Sequence, residues 1–398
     1  MSSPDLVCLS HLRWNFAYQR PNHLMARAAR DRRVFFIEEP IHSSSRSEPE
    51  IELTAQGVTV VRPVLPEIDD ETKLPPLFNR RLLRKQVTDL FRAYRIRDPW
   101  LWYYSPLATR WTSHLPHSAV VYDCMDELSA FRHAAADLPL VERRLVARAD
   151  AVFAGGRRLY EAKKRLHPQT HLFPSSVDCE HFSRARCSQP DPEDQALISG
   201  PRVGYFGVID ERLDLELLAQ VADARPAWQL VMLGPIAKLE ESDLPRRPNL
   251  HWLGPKPYEQ LPAYLAGWDV AMMPFALNES TRHISPTKTP EYLAGGRPVV
   301  STPIADVVEP YGRLGLVEIA LGADQFVGAI ESALRSDRTA LMATADRLLS
   351  DQSWDRTWAR MDAIVAARAA TDAPRELRAR EIRPREVPPR EIVTVRAA

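Results

Sequence analysis

The stretch Ser285-Pro-Thr-Lys-Thr-Pro-Glu-Tyr-Leu-Ala-Gly-Gly-Arg-Pro-Val-Val-Ser-Thr-Pro303 contains a short helix between two predicted strands. An apolar strand at 269–275 precedes it, and a β-branched strand begins at Val299. The helix predicted over 290–294 starts at a proline and stops at a glycine pair, as helix termini usually do. A strand, a polar loop and a helix start form a corner that binds anions, because unpaired amides and the helix dipole favour negative charge there.

Four side chains in this segment predict a site for a phosphorylated ligand. Lys288 supplies a mobile cation for phosphate. Glu291 would repel phosphate, so it is better suited to accept hydrogen bonds from ribose hydroxyls, as acidic residues do in dinucleotide sites. Ser285 and Thr287 belong to the same polar loop and complete this set of donor-site candidates.

The segment resembles the donor-binding segment of retaining GT-B glycosyltransferases, a group that includes glycogen synthases and bacterial cell-surface polysaccharide enzymes. Lys288 and Glu291 match the lysine and the ribose-binding glutamate of that group. His283 stands where the group often has a second glutamate, and Glu279 lies further back. The resemblance implies a nucleoside diphosphate sugar as donor and retention at the anomeric carbon. We expect no metal or other cofactor, because the sequence has no clear DxD arrangement of the kind that metal-dependent transferases use.

The composition restricts the classes of protein to which the chain can belong. A length of 398 residues favours two or three domains, and 45% apolar residues suit a sizeable core. The formal net charge is zero, which argues against a nucleic acid as partner. The four cysteines lack metal-site spacing, and we find neither a signal peptide nor a membrane-spanning apolar run. We therefore expect a cytoplasmic location.

Strands alternate with helices in both halves of the chain, which predicts parallel sheets that bind ligands at the carboxyl ends of their strands. Together with the resemblance, this predicts an α/β protein of the GT-B class, with two Rossmann-like domains facing across a cleft. The expected divisions are an acceptor-binding domain at 1–188, a linker at 189–200, a nucleotide-sugar domain at 201–352, a helix at 353–371 that crosses back to the first domain, and a disordered tail at 372–398.

The loop from Ser10 to Leu24 joins the first strand to the first helix and is the predicted acceptor site. It resembles the Arg-Pro-x-His-Leu start of a bacterial subgroup that includes teichuronic acid biosynthesis proteins. The acceptor would be a cell-surface glycan or a lipid-linked precursor. The candidates for contact with it are Arg13, Trp14, Arg20 and His23. The alternative is that Arg20 and His23 only cap and pack the helix.

Two further sets of candidates follow other strands. Asp123 and Asp126 could orient sugar hydroxyls or accept the acceptor's proton, and His133 could contact the donor sugar. A capping role for Asp126 and a structural role for His133 remain alternatives. In the second half the donor candidates are Gly207, Arg212 and Gly254, since glycine allows a diphosphate to approach the backbone closely.

The segment 80–97 predicts a basic amphipathic helix. Either its basic side chains are only solvated while an apolar stripe packs in the core, or the helix makes a peripheral contact with an anionic membrane. For the whole chain we expect a glycosyltransferase. The alternatives are a GT-B sugar-nucleotide epimerase, which needs no acceptor loop, and a non-catalytic scaffold, which His283 would favour.

Overall fold

The computed structural model describes residues 3–45, 48–67 and 76–370. The first half forms an eight-stranded sheet in the order β10-β9-β8-β7-β1-β2-β5-β4, in which only β4 runs antiparallel to its neighbour. A separate parallel pair joins β3 and β6. The strands are β1 (Leu6–Leu9), β2 (Val34–Ile37), β3 (Ile41–Ser43), β4 (Glu50–Leu53), β5 (Val58–Arg62), β6 (Val64–Pro66), β7 (Trp100–Tyr103), β8 (Ala119–Cys124), β9 (Ala151–Ala154) and β10 (Thr170–Leu172).

Both faces of the sheet are buried at β1, β2, β7, β8 and β9, which is why most of these strands read as apolar runs, whereas the edge strand β4 is largely exposed. Along β1, Leu6 and Cys8 join one hydrophobic cluster while Val7 and Leu9 join another on the opposite face. The helices of this half are α1 (Arg20–Ala28), α2 (Pro76–Ala93), α3 (Thr109–Thr112), α4 (Leu138–Val146), α5 (Arg157–Lys163), α6 (Cys179–Ser183) and α7 (Glu193–Ala196).

The second half forms a six-stranded, all-parallel sheet in the order β13-β12-β11-β14-β15-β16. Its strands are β11 (Arg202–Phe206), β12 (Gln229–Leu233), β13 (Leu250–Trp252), β14 (Val270–Met273), β15 (Val299–Ser301) and β16 (Val317–Ile319). Its helices are α8 (Leu215–Ala224), α9 (Leu261–Ala266), α10 (Lys288–Ala294), α11 (Ala305–Val307), α12 (Gly322–Arg335) and α13 (Arg338–Leu349). Helix α10 begins at Lys288, two residues before the predicted start.

The last helix, α14 (Trp354–Ala369), returns to the first sheet. The Ser353 side chain caps it by accepting a hydrogen bond from the Arg356 amide. Its buried stripe packs in a cluster with β1, β7 and β8, and the rings of Trp358 and Trp102 lie 5.8 Å apart. The helix therefore crosses back as the resemblance implied. The tail expected at 372–398 lies outside the described residues.

The segment expected to be a linker contains α7 and packs on the second sheet's domain. The side chain of Gln195 is fully buried; it accepts a hydrogen bond from Trp268 Nε1 at 2.9 Å and donates one to the Tyr264 carbonyl at 3.1 Å. Among the helices in the described ranges, none is both long enough and apolar enough to cross a membrane.

Candidate functional site

A pocket of about 1150 Å³, counted with its open mouth, lies where the carboxyl ends of the two sheets face each other. The first domain lines it with Phe16–Gln19 and with residues that follow β8 and β10, namely Met125, Asp126 and Ser175. The second domain lines it with residues that follow four of its strands and with the start of α10. Ser285, Thr287, Lys288 and Glu291, all predicted donor residues, belong to this wall.

Gly207 brings the end of β11 close to Lys288. Its φ is +152°, and a Cβ built there would lie 2.8 Å from Lys288 Cε and 2.6 Å from the Tyr205 hydroxyl. A larger residue would therefore displace the lysine from the pocket wall. The sequence prediction of a close approach at this glycine agrees with this geometry.

Lys288 is the first residue of α10, and its Nζ lies 3.2 Å from Thr287 Oγ1. Burial lowers its pKa, the neighbouring Glu291 raises it, and Arg212 lowers it further. Arg212 also lines the pocket, where it donates three hydrogen bonds of 2.7–3.0 Å to the Asp210 carboxylate. Lys288 and Arg212 thus act on each other electrostatically on one wall, and of these two cations Arg212 is the one paired with a carboxylate at hydrogen-bond distance.

Glu291 lies one turn further along α10 and is only 9% exposed. Burial raises its pKa to about 7, against the opposing effect of Lys288. Beside it, the Tyr258 hydroxyl is buried without a hydrogen-bond partner among the described residues. Its pKa is raised by burial and then by the charge of Glu291. Tyr258 also lines the pocket, although the sequence did not single it out.

Gly254 supports this wall without lining it. Its φ is +70°, and its carbonyl accepts a hydrogen bond from the Gly234 amide at 2.9 Å. The residues that follow it, Pro255 and Lys256, line the pocket instead. Gly254 therefore turns the chain so that the next two residues reach the cavity, which corrects its predicted direct contact.

Arg20 and Asp123, predicted to contact substrate, form a buried ion pair beneath the cleft. Both side chains are fully buried, and Nε and Nη2 of Arg20 donate to the carboxylate at 2.8–3.2 Å. Nη1 of Arg20 donates to the Phe173 carbonyl at 2.7 Å. Neither side chain lines the pocket. Each neutralises the buried charge of the other, which is the condition under which buried charges are tolerated. The packing role left open for Arg20 is the observed one.

The other predicted acceptor residues also lie away from the pocket lining. Arg13 donates to Glu38 and to the carbonyls of residues 39 and 40. Trp14 packs on Phe36, and His23 stacks on Trp354 with the ring centroids 4.5 Å apart. Burial strongly lowers the pKa of His23. From this loop Phe16–Gln19 line the pocket, and the four predicted acceptor residues do not.

Asp126 lies on the pocket wall opposite the two cations. Burial raises its pKa, and the charge of Arg212 is the strongest opposing effect. His133 is exposed in a turn with φ +62° and does not line the pocket, which corrects its predicted sugar contact. The nearby Arg132 amide donates instead to Glu211 of the second domain at 3.1 Å.

His283 also lies outside the pocket. It lines a separate outer cavity together with Glu279, and its Nδ1 is buried without a partner in the described chain. His283 therefore contributes no group to the pocket wall. Within the described ranges, no three His, Cys, Asp or Glu side chains are grouped so that they could hold a metal ion.

Comparison with known proteins agrees with this geometry. Residues 200–336 match the family model described as Glycosyl transferases group 1, so this part of the chain is a group 1 glycosyltransferase domain. A Bacillus subtilis protein named as a teichuronic acid biosynthesis glycosyltransferase, TuaH, is 30% identical over 220 residues. That match covers 51% of this chain and 55% of TuaH, so it spans about half of the relative's length.

Solved structures of low identity share the fold over nearly the whole chain. Sucrose-phosphate synthase from Thermosynechococcus elongatus has a TM-score of 0.68 at 16% identity, covering 92% of this chain and 98% of its own. Anabaena Alr3699/HepE in complex with UDP and glucose has a TM-score of 0.63 at 13% identity, covering 91% and 99%. The predicted GT-B fold and the resemblance to bacterial cell-surface glycosyltransferases are confirmed.

The Arg20–Asp123 pair yields a stability prediction. Arg20→Met or Asp123→Leu alone leaves an unpaired buried charge, so each should lower the free energy of unfolding by about 3–5 kcal/mol. The double variant should cost less than the sum of the two, because it removes both charges. Denaturant unfolding of the four proteins measures this coupling. Arg247→Met, which breaks the exposed pair with Asp223, serves as control and should cost far less. Additive losses would contradict the pairing.

Proposed function

We propose that this chain, which contains a group 1 glycosyltransferase domain at residues 200–336, transfers a sugar from a nucleoside diphosphate sugar to an acceptor in the cleft. The observation that carries the proposal is the pocket between the sheets. One wall holds the cations Lys288 and Arg212, and the opposite wall holds Asp126 and the loop Phe16–Gln19. A transfer reaction needs two substrates held in contact, and a pocket with walls from two domains provides for both.

The diphosphate is assigned to Lys288, Arg212 and the backbone at Gly207. When the bond to the sugar breaks, negative charge develops on the leaving diphosphate. Fixed cations in a partly buried pocket stabilise that charge more strongly than water does. Asp210 holds Arg212 in place through its three hydrogen bonds, so the guanidinium needs little reorganisation during the reaction.

The nucleoside is assigned to Glu291, Tyr258 and the loop at Pro255. The ionised Glu291 can accept hydrogen bonds from both ribose hydroxyls. The Tyr258 hydroxyl, which lacks a partner among the described residues, lies on the same wall and can bond to the ligand. UDP is the favoured nucleotide because the Anabaena structure is a complex with UDP and glucose.

On the first domain's side, Asp126 is assigned to the reacting sugar. Its carboxylate can orient sugar hydroxyls or accept the proton of the attacking acceptor hydroxyl. The acceptor is proposed to be a cell-surface glycan or its lipid-linked precursor, supported by the similarity to TuaH. Retention at the anomeric carbon is proposed from the resemblance, without a metal or other cofactor.

The two alternatives explain less of the pocket. An epimerase needs no acceptor, so it would leave the contribution of Phe16–Gln19 unexplained. The scaffold alternative was based on His283, but that residue does not line the pocket. Neither is therefore preferred over transfer.

Lys288→Ala should weaken binding of a nucleoside diphosphate and of its sugar conjugate by a similar factor. One charge-assisted contact is lost in both cases, which costs on the order of 1.5–3 kcal/mol. Titration calorimetry with UDP and UDP-glucose measures both affinities. Lys164→Ala, which removes an exposed lysine paired with Glu161, is the matched control and should bind both ligands like the wild type. Unchanged affinity in the folded Lys288 variant would remove this residue from the donor site.

Glu291 should make donor affinity depend on pH. Its carboxyl holds a proton below a pKa of about 7, whereas the ionised form is the better acceptor for ribose hydroxyls. Affinity for UDP-glucose should therefore rise severalfold from about pH 6 to about pH 8. The diphosphate diester does not itself titrate there. Glu291→Gln should abolish the rise, and a profile that is the same in wild type and variant would contradict the ribose assignment.

Asp126→Asn separates transfer from donor binding. Removing a negative charge that faces Lys288 and Arg212 should leave UDP-sugar affinity unchanged or slightly higher. Transfer to an acceptor should fall at least about tenfold, or roughly 1.4 kcal/mol of barrier. The assay compares product formation with and without acceptor. Interconversion of the nucleotide sugar without acceptor would instead identify an epimerase, and a folded wild type that binds no nucleotide sugar would identify a scaffold.

A further inference from the structure

Helix α2 presents a basic face to solvent. Phe78, Arg81, Lys85 and Arg92 recur at spacings of three, four and seven residues, which places them on one side of a helix. All four are exposed; the side chains of Lys85 and Arg92 are 75% and 76% exposed, and Phe78 is 48% exposed. On the opposite side of the helix Leu83 is buried, and Val87, Leu90 and Phe91 join the first domain's core.

Positive charge is concentrated along this helix although the whole chain has no net charge. Residues 78–98 contain seven cationic and only two acidic side chains. Asp89 bonds to both Lys85 and Arg92, so it offsets part of their charge. The other acid, Asp98, lies beyond the end of the helix. The excess of positive charge extends from Arg80 at the start of the helix to Arg97 just after it.

The orientation of α2 relates this face to the pocket. The helix returns the chain from the carboxyl ends of the strands to the start of β7, so its first turns lie at the cleft end of the sheet. The Gln86 side chain holds it there by bonding to both the amide and the carbonyl of Val64 in β6. Phe78 and Arg81 are therefore on the cleft side, and Arg92 is further from it.

We propose that the outer face of α2, defined by Phe78, Arg81, Lys85 and Arg92, docks on an anionic lipid surface. Arginine and lysine side chains are attracted to acidic headgroups, and an exposed aromatic ring can enter the boundary between headgroups and acyl chains. The apolar ring at the cleft end of the basic face favours a lipid surface over a nucleic acid, whose phosphates would use the cations alone. Docking brings the mouth of the cleft near the membrane, where a lipid-linked acceptor would be presented.

Vesicle binding tests this surface without depending on the proposed transfer reaction. The full chain is sedimented with vesicles of phosphatidylcholine alone or of equimolar phosphatidylcholine and phosphatidylglycerol. It should bind the second at low ionic strength, and salt should release it. Each cation near an anionic surface raises the partition coefficient of the protein onto vesicles about fivefold. The double variant Arg81→Gln with Lys85→Gln should therefore lower this coefficient roughly 25-fold. Phe78→Ser should lower it further while leaving the salt dependence in place.

The matched control is Arg335→Gln with Arg347→Gln, which removes two exposed arginines from α12 and α13 of the other domain. It should bind vesicles like the wild type. UDP-glucose affinity should stay unchanged in all variants, which also verifies that they are folded. Absence of wild-type binding to phosphatidylglycerol, or an equal loss in the control, would overturn the proposal. Binding of duplex DNA through Arg81 and Lys85 without vesicle binding would overturn it in favour of a nucleic-acid surface.

Discussion

The ion pair between Arg20 and Asp123 is the contact on which the first domain's wall of the cleft depends. It joins the start of α1, the end of β8 and the carbonyl that follows β10, three segments far apart in the chain. Each leads within a few residues to a group that lines the pocket: Gln19, Asp126 and Ser175. Removing two charges from water is costly, and the cost is offset only when both partners are present in good geometry. The pair therefore contributes more to the unique arrangement of three loops than to net stability.

The second domain's wall of the cleft is held against the first domain by contacts that cross between the domains. Glu211 accepts a hydrogen bond from the Arg132 amide, and Asp306 accepts one from the Arg157 amide at 2.7 Å. A Cβ at Gly156 would lie 2.6 Å from the Asp306 carboxylate and 2.8 Å from Ser285, a donor-segment residue. The two domains thus approach so closely beside the donor segment that only glycine fits. These contacts hold the two walls together, with Asp126 of the first domain facing Lys288 and Arg212 of the second.

The sequence predicted the residues of the donor wall better than those of the acceptor wall. The strands, α14 and the donor residues Lys288 and Glu291 follow from local patterns: apolar runs, helical spacing and a strand–loop–helix corner. The acceptor residues do not follow from local patterns, because the sequence of one loop does not reveal the partners of its side chains. Whether Arg20 faces a sugar or a carboxylate depends on Asp123, which is 103 residues away. Phe16 and Tyr18 of the same loop line the pocket, whereas the predicted aromatic contact was Trp14. Tyr258 ends the short loop after β13, whose sequence has no periodic pattern that indicates where this side chain lies.

The protonation of the pocket is linked to ligand binding. Burial raises the pKa of Glu291 to about 7 and lowers that of Lys288, so both groups are pushed toward their neutral forms. A bound diphosphate would favour the charged lysine, and ribose hydroxyls would favour the ionised carboxylate. A bound nucleotide sugar would therefore replace the solvation that burial removes from both groups, and by linkage, donor binding and the charged forms of Lys288 and Glu291 stabilise each other.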